Sequence, residues 1–176
     1  HLTYIVLENI SGHPLMFYHV QESTFSNMQI INFSQPMAIE ESKNITLSGF
    51  TIDTGIETPC SAVYINGTET TVLEDFILNQ TSTTGIKGIE IANQCDMLTF
   101  RDFRIYNFST AVVVDISGNV STNITYEYGI IENSTVAFHL SVSPSPMDVF
   151  VSVKNVKVLN TTTAVYANNT GNIWFY

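Results

Sequence analysis

One column of residues recurs along this chain at an almost constant interval. Phe50, Phe76, Phe103, Gly129 and Val156 follow one another at steps that differ by a single position at most. Each sits in a similar context: Ile45-Thr-Leu47-Ser-Gly-Phe50-Thr-Ile52, Thr71-Val-Leu73-Glu-Asp-Phe76-Ile-Leu78 and Leu98-Thr-Phe100-Arg-Asp-Phe103-Arg-Ile105. Ile124 to Ile131 and Val151 to Val158 continue the series, a weaker copy runs from Phe25 to Ile30, and Tyr4 to Val6 begins another. A fixed period of this kind is the mark of stacked supersecondary units, each placing equivalent side chains above those of the last.

Within each unit a second short apolar run follows the first: Met37 to Glu40, Ala62 to Ile65, Gly88 to Ile91, Ala111 to Val114, Ala137 to Leu140 and Ala164 to Ala167, with Pro14 to Val20 supplying the earliest. The runs alternate with a period of two, are rich in β-branched and aromatic residues, and are bounded by Asn, Gly, Ser and Thr. No segment keeps helical spacing for three turns. A β-sandwich also yields short, regularly spaced strands, but it does not require one column to recur at so constant a step. The expected fold is therefore all-β: a single-stranded right-handed parallel β-helix of about seven coils, with residues 1–176 forming one domain.

The first strand of most units ends at an Asn: Asn9, Asn32, Asn79, Asn107, Asn133 and Asn160, with Asp53 or Thr54 in the third. Asn tolerates the left-handed backbone of a tight bend, and stacked amides can hydrogen-bond along the axis. With this column the chain resembles the pectin-lyase-like family of right-handed β-helices, well over residues 23–176 and poorly before them. The resemblance implies an architecture shared by many functions. Lyases of that kind use a calcium-binding acidic cluster with a basic residue, but Lys87, Lys154 and Lys157 do not converge on acids here. The Asn-Thr-Asp, Asp-Asp, Gly-His-Gly and Arg-Ile-Lys elements of related polygalacturonases do not occur.

Composition narrows the partners. Sixteen acidic residues against six basic ones give a formal charge of −10, which argues against phosphate backbones and anionic lipid surfaces. No apolar run reaches the roughly 18 residues of a membrane span. The chain begins at His1 with neither initiator Met nor signal peptide, as in a processed chain or a piece of a larger one. Charged residues are only 12%, and Asn-x-Ser/Thr sequons are abundant, a pattern that fits an exported glycoprotein. The Asn column is expected to turn into the stack, which leaves Asn44, Asn66, Asn119, Asn123 and Asn168 as the glycan candidates.

Alternation in the second runs places Val63, Ile65, Ile89, Ile91, Val112, Val114, Phe138, Leu140 and Val165 inward. Two outward columns are expected beside them. One is small, comprising Ala38, Ala62, Gly88, Ala111, Ala137 and Ala164. The other, Tyr18, Glu40, Tyr64, Glu90, Val113, His139 and Tyr166, offers ring faces and carboxylates to an extended glycan. Asp75 and Asp102 share a column in adjacent coils and are the one candidate carboxylate pair for hydrolysis, although Arg101 and Arg104 beside them suit a solvated charge ladder. The four His lack metal-ligand spacing, and no cofactor motif occurs. Cys60 and Cys95 fall at different phases of their coils, which opposes a bridge. The two ends, Leu2 to Leu7 and Ile173 to Tyr176, are strand-like. Tyr4, Ile5, Trp174, Phe175 and Tyr176 are thus candidates for contacts between copies. These features point to a non-catalytic structural subunit of an extracellular assembly that associates with itself, such as a surface filament, cell-surface layer or virion spike. The alternative is a carbohydrate-active lyase or hydrolase, or a glycan-binding spike, using the Tyr/Glu face.

Overall fold

A computed structural model describes residues 4–55, 60–81, 85–117, 121–142, 148–168 and 172–176, the last segment without the side chains of 172, 173 and 175. The first coils contain β1 (Ile5–Ile10), β2 (Met16–Tyr18), β3 (Gln21–Phe33), β4 (Met37–Glu40), β5 (Lys43–Asp53) and β6 (Ser61–Asn66). The middle ones contain β7 (Glu69–Asn79), β8 (Lys87–Ala92), β9 (Asp96–Tyr106) and β10 (Thr110–Ile116). Then follow β11 (Thr122–Glu127), β12 (Ile130–Glu132), β13 (Val136–Val142), β14 (Asp148–Lys154), β15 (Lys157–Leu159), β16 (Thr163–Ala167) and β17 (Asn172–Phe175).

All pairings are parallel. One sheet runs β1-β3-β5-β7-β9-β11-β14-β17, with β12 bridging β9 and β15, and the other runs β2-β4-β6-β8-β10-β13-β16. The chain is a parallel β-solenoid of about six turns, one fewer than the repeat suggests. Its opening coils are shorter than the rest. Ile5 pairs with Met28 and Met28 with Phe50, and both steps fall short of the Phe50-to-Phe76 step that sets the period of the later coils.

Parallel in-register stacking puts like residues over like. Ile45, Thr71, Leu98, Ile124 and Val151 form one interior column, and Leu47, Leu73, Phe100, Tyr126 and Val153 the next. Phe50, Phe76 and Phe103 stack nearly face to face, with ring centroids 5.0 and 5.6 Å apart. From the second sheet Val63, Ile89, Val112 and Phe138 close the core.

The bends are made by left-handed residues, themselves stacked. Asn27, Gly49, Asp75, Asp102, Tyr128 and Asn155, immediately before the Phe column, all have φ between 50° and 60°. They fold each long strand into two faces. Second and third left-handed columns run through His19, Glu41, Gly67 and Asn93, and through Glu22, Asn44, Thr70 and Met97. At the Asn corner Asn9, Asn32, Gly55, Asn107, Asn133 and Asn160 have positive φ.

The expected continuous amide ladder is interrupted. Asn32 Nδ2 donates to Asn9 Oδ1 at 2.7 Å, and Asn107 Nδ2 donates to Asn79 Oδ1 at 3.0 Å. Between these pairs Gly55 takes the bend, so tightly that a Cβ there would lie 2.6 Å from Asn32 Oδ1. Asp53 Oδ1 accepts from Gly55 N–H and from Thr81 Oγ1 instead.

Candidate functional surfaces

The outward face of the second sheet resolves into two columns that differ from those expected. Pairing places Ala38 beside Tyr64, followed by Glu90, Val113, His139 and Tyr166. Tyr18 and Glu40 pair with each other and lead into Asn66, one column over. The face thus carries Tyr64, Glu90, His139 and Tyr166 in line, with Tyr18 and Glu40 offset. Strand β4 is displaced by two positions from the register that the repeat implies, because its coil is shorter. The Tyr64 hydroxyl is pushed above its usual range by partial burial and then by the carboxylates of Glu40 and Glu90. Lys87 Nζ donates to Glu90 Oε1 at 2.5 Å, and the His139 and Tyr166 rings meet edge to face at 5.0 Å.

The small-residue column is a second correction, because it is not an open track. Ala62, Ala111 and Ala137 are fully buried and belong to the core. A Cβ on Gly88 would meet the Ala111 carbonyl oxygen at 2.4 Å and Ile105 Cγ2 at 3.2 Å. Gly88 thus has no room for a side chain, whereas Ala164, in the last coil, is exposed.

Asp75 and Asp102 lie on adjacent coils, both exposed and both at the left-handed bend. Their column mates are Asn27, Gly49, Tyr128 and Asn155; all but Tyr128 are types that favour this backbone, which gives the two acids a conformational reason to be there. Beside them runs a column of alternating charge, Glu74, Arg101, Glu127 and Lys154. Arg101 is ion-paired with Glu74, and Lys154 lies 3.4 Å from Glu127. Exposed pairs of this kind contribute about 0–1 kcal/mol each.

A groove of about 590 Å³ that sequence reasoning missed is lined by Glu41, Asn66, Gly67, Glu69, Asn93, Gln94, Asp96 and Ser117. Its floor is a short amide ladder: Ser117 Oγ donates to Asn93 Oδ1 and Asn93 Nδ2 donates to Asn66 Oδ1, both at 2.8 Å. Its acids are partly engaged, Glu69 by Lys43 and Asp96 by Asn123 Nδ2 at 3.1 Å. The Glu41, Gly67 and Asn93 bends that line it keep the period of the Phe column. Among the described residues no His, Cys, Asp and Glu group is placed to hold a metal ion.

Cys60 and Cys95 are both free, the first exposed and the second buried. Cys95 Sγ lies 3.3 Å from the Ala92 carbonyl oxygen, and burial pushes its thiol up in pKa. At one end of the solenoid Ile5 packs on the core and Tyr4 hydroxyl donates to Gln29 at 2.9 Å. At the other, Trp174 and Tyr176 are exposed, whereas the Phe175 side chain lies outside the described residues.

Among the glycan candidates, Asn44, Asn123 and Asn168 are exposed and Asn66 half-buried, while Asn119 lies outside the described residues. The chain matches no protein-family model and no curated protein.

Proposed function

We propose that this chain is a non-catalytic structural element of an extracellular assembly, a rigid β-solenoid shaft that associates with copies of itself end to end. The observation that carries this reading is the condition of the terminal coils. β1, β2, β16 and β17 stand at the sheet ends, so each keeps one edge with no strand partner among the described residues. Among the described residues the core is also less covered at the β16 end. Val165 continues the inward column of Ile89, Val112 and Phe138, yet it is 41% exposed where Ile89 is 0%. An unpaired strand edge over uncovered apolar side chains is a template for another strand, and a head-to-tail contact that does not close yields a filament. The sequons and the scarcity of charge support an extracellular setting.

The test is light scattering and electron microscopy of the whole chain over a range of concentrations. Linear oligomers are expected, and they should be lost in Val165→Asp and, separately, in Ile5→Lys, each still β-rich by circular dichroism. A parent that stays monomeric throughout, or folded variants that assemble like the parent, would overturn the reading.

A further inference from the structure

N-linked sugar is carried by the amide nitrogen of Asn, so what matters at each sequon is where that nitrogen points. Six of the chain's sequons divide on that criterion. In Asn32, Asn107 and Asn123 the Nδ2 is already spent on a neighbouring coil, donating to Asn9, Asn79 and Asp96 at 2.7, 3.0 and 3.1 Å. At Asn32 the space is filled as well, since the Gly55 backbone lies against its side chain. A sugar on any of these nitrogens takes one of the two amide protons, so the coil-to-coil hydrogen bond survives only where the remaining proton is the one donated and the sugar points away from the stack. Asn44, Asn133 and Asn160 are different. Each is exposed and has a left-handed backbone, with φ of 55°, 54° and 49°, as Asn107 does, and they differ from it in their hydrogen bonds. Their side chains make no hydrogen bond among the described residues, and each has the required hydroxyl two positions on, in Thr46, Thr135 and Thr162.

We infer that, of these six sequons, Asn44, Asn133 and Asn160 accept N-glycans and Asn32, Asn107 and Asn123 do not. In the transfer, Nδ2 attacks the anomeric carbon of a lipid-diphosphate-linked oligosaccharide. A C–N bond replaces the C–O bond to phosphate, the lipid diphosphate leaves with the electron pair, and the amide gives up one of its two protons. Asn133 and Asn160 occupy one corner on adjacent coils, since Asn133 N–H bonds the Leu159 carbonyl. At a strand spacing of about 4.8 Å they compete for the same room, and occupancy is divided between them. The assignment moves two acceptors onto the Asn corner, where the register alone had suggested a ladder. It rests on the export half of the function proposed above and is independent of the end-to-end contact.

The experiment is secretion of the whole chain from a eukaryotic host behind a cleavable leader, followed by intact mass and site mapping. Mapping uses enzymatic deglycosylation in heavy-oxygen water, which marks each occupied Asn. Sugar is expected at Asn44 and at the Asn133–Asn160 corner. Asn44→Gln should remove one glycan mass with little change in melting temperature. Asn32→Gln should leave the glycan mass unchanged and lower the melting temperature. Folded protein bearing sugar on Asn32, Asn107 or Asn123 while Asn44 is bare would overturn the assignment, as would secreted protein with no sugar at any of the six. Light scattering of the same sample after deglycosylation reads the end-to-end contact separately, so that failure of one reading leaves the other standing.

Discussion

In the middle of the solenoid Phe50, Phe76 and Phe103 stack in one column, whereas one coil further the same column holds Gly129 and then Val156. The backbone responds. β5, β7 and β9 run unbroken for 11 residues each, whereas the equivalent path is cut into β11 and β12, then β14 and β15. The bend before the column changes occupant as well, from Gly49, Asp75 and Asp102 to Tyr128 and Asn155. Beyond the cut β13 keeps its inward face buried, whereas β16, at the end of its sheet, has four of its five residues exposed. The same repeat therefore produces a tightly coupled centre and a looser end. The centre has ring stacks, which contribute roughly 0.5–1.5 kcal/mol per pair beyond their burial, and the end coil has a strand partner on one side among the described residues.

The strongest way to break this comparison is to place the same charge at two levels of one inward column. Ile89→Asp puts a carboxylate where nothing can solvate it and should cost at least about 4 kcal/mol, enough to unfold the chain. Val165→Asp, two-fifths exposed, should cost no more than about 1 kcal/mol. Urea denaturation followed by circular dichroism measures both. Equal losses at the two positions would show that the end coil is as well packed as the centre.

Gly129 tests the junction itself. The Phe103 ring lies across the place where a side chain would be, with Cζ 2.2 Å from an added Cβ. Gly129→Ala should therefore destabilise by about 1–3 kcal/mol through overpacking. Combining it with Phe103→Leu should recover part of that loss relative to the sum of the single changes. Strict additivity in this double-mutant cycle would mean that the ring does not hold the junction.

Much of this was legible from residues. The Phe50, Phe76, Phe103 series sets the period, the alternation of Val63, Ile65, Ile89 and Ile91 sets the inward face, and both hold in the structure. Three things were not legible, each for a physical reason. The short opening coils hide the register of Ala38, Tyr18 and Glu40, since a slip of two positions preserves the in-out pattern. Alternation alone turns the alanine column outward, but bends interrupt alternation, and small residues mark close approach as readily as exposure. The groove around Asn93 is built from bends in successive coils, so its lining comes from residues far apart in sequence. The left-handed column beside the Phe series, Gly49, Asp75, Asp102, Tyr128 and Asn155, emerges from the structure and gives Asp75 and Asp102 a backbone role.

The smallest effect sharpens the comparison from inside. Tyr126 sits between the two regions, stacked on Phe100 at 4.9 Å and edge-on to Phe103 and Phe138 at 6.2 and 5.2 Å. It is fully buried, and its hydroxyl has no hydrogen-bond partner among the described residues. A hydroxyl desolvated without a partner costs about 1–3 kcal/mol, so Tyr126→Phe should stabilise the fold by about 1 kcal/mol while keeping every ring contact. The pH dependence gives a second reading. Burial holds the Tyr126 phenol well above its ordinary value near 10. Below pH 10 the folded and unfolded chains both keep this proton, and its contribution does not change with pH. Above pH 10 the unfolded chain releases the proton while the folded chain retains it, so stability falls as pH rises toward the folded-state value. Tyr126→Phe removes that fall, and its alkaline unfolding midpoint should lie at higher pH than the parent's. If the variant instead melts lower and unfolds at the same alkaline pH, the hydroxyl has a partner in the folded chain, and the junction is held by a polar contact as well as by its rings.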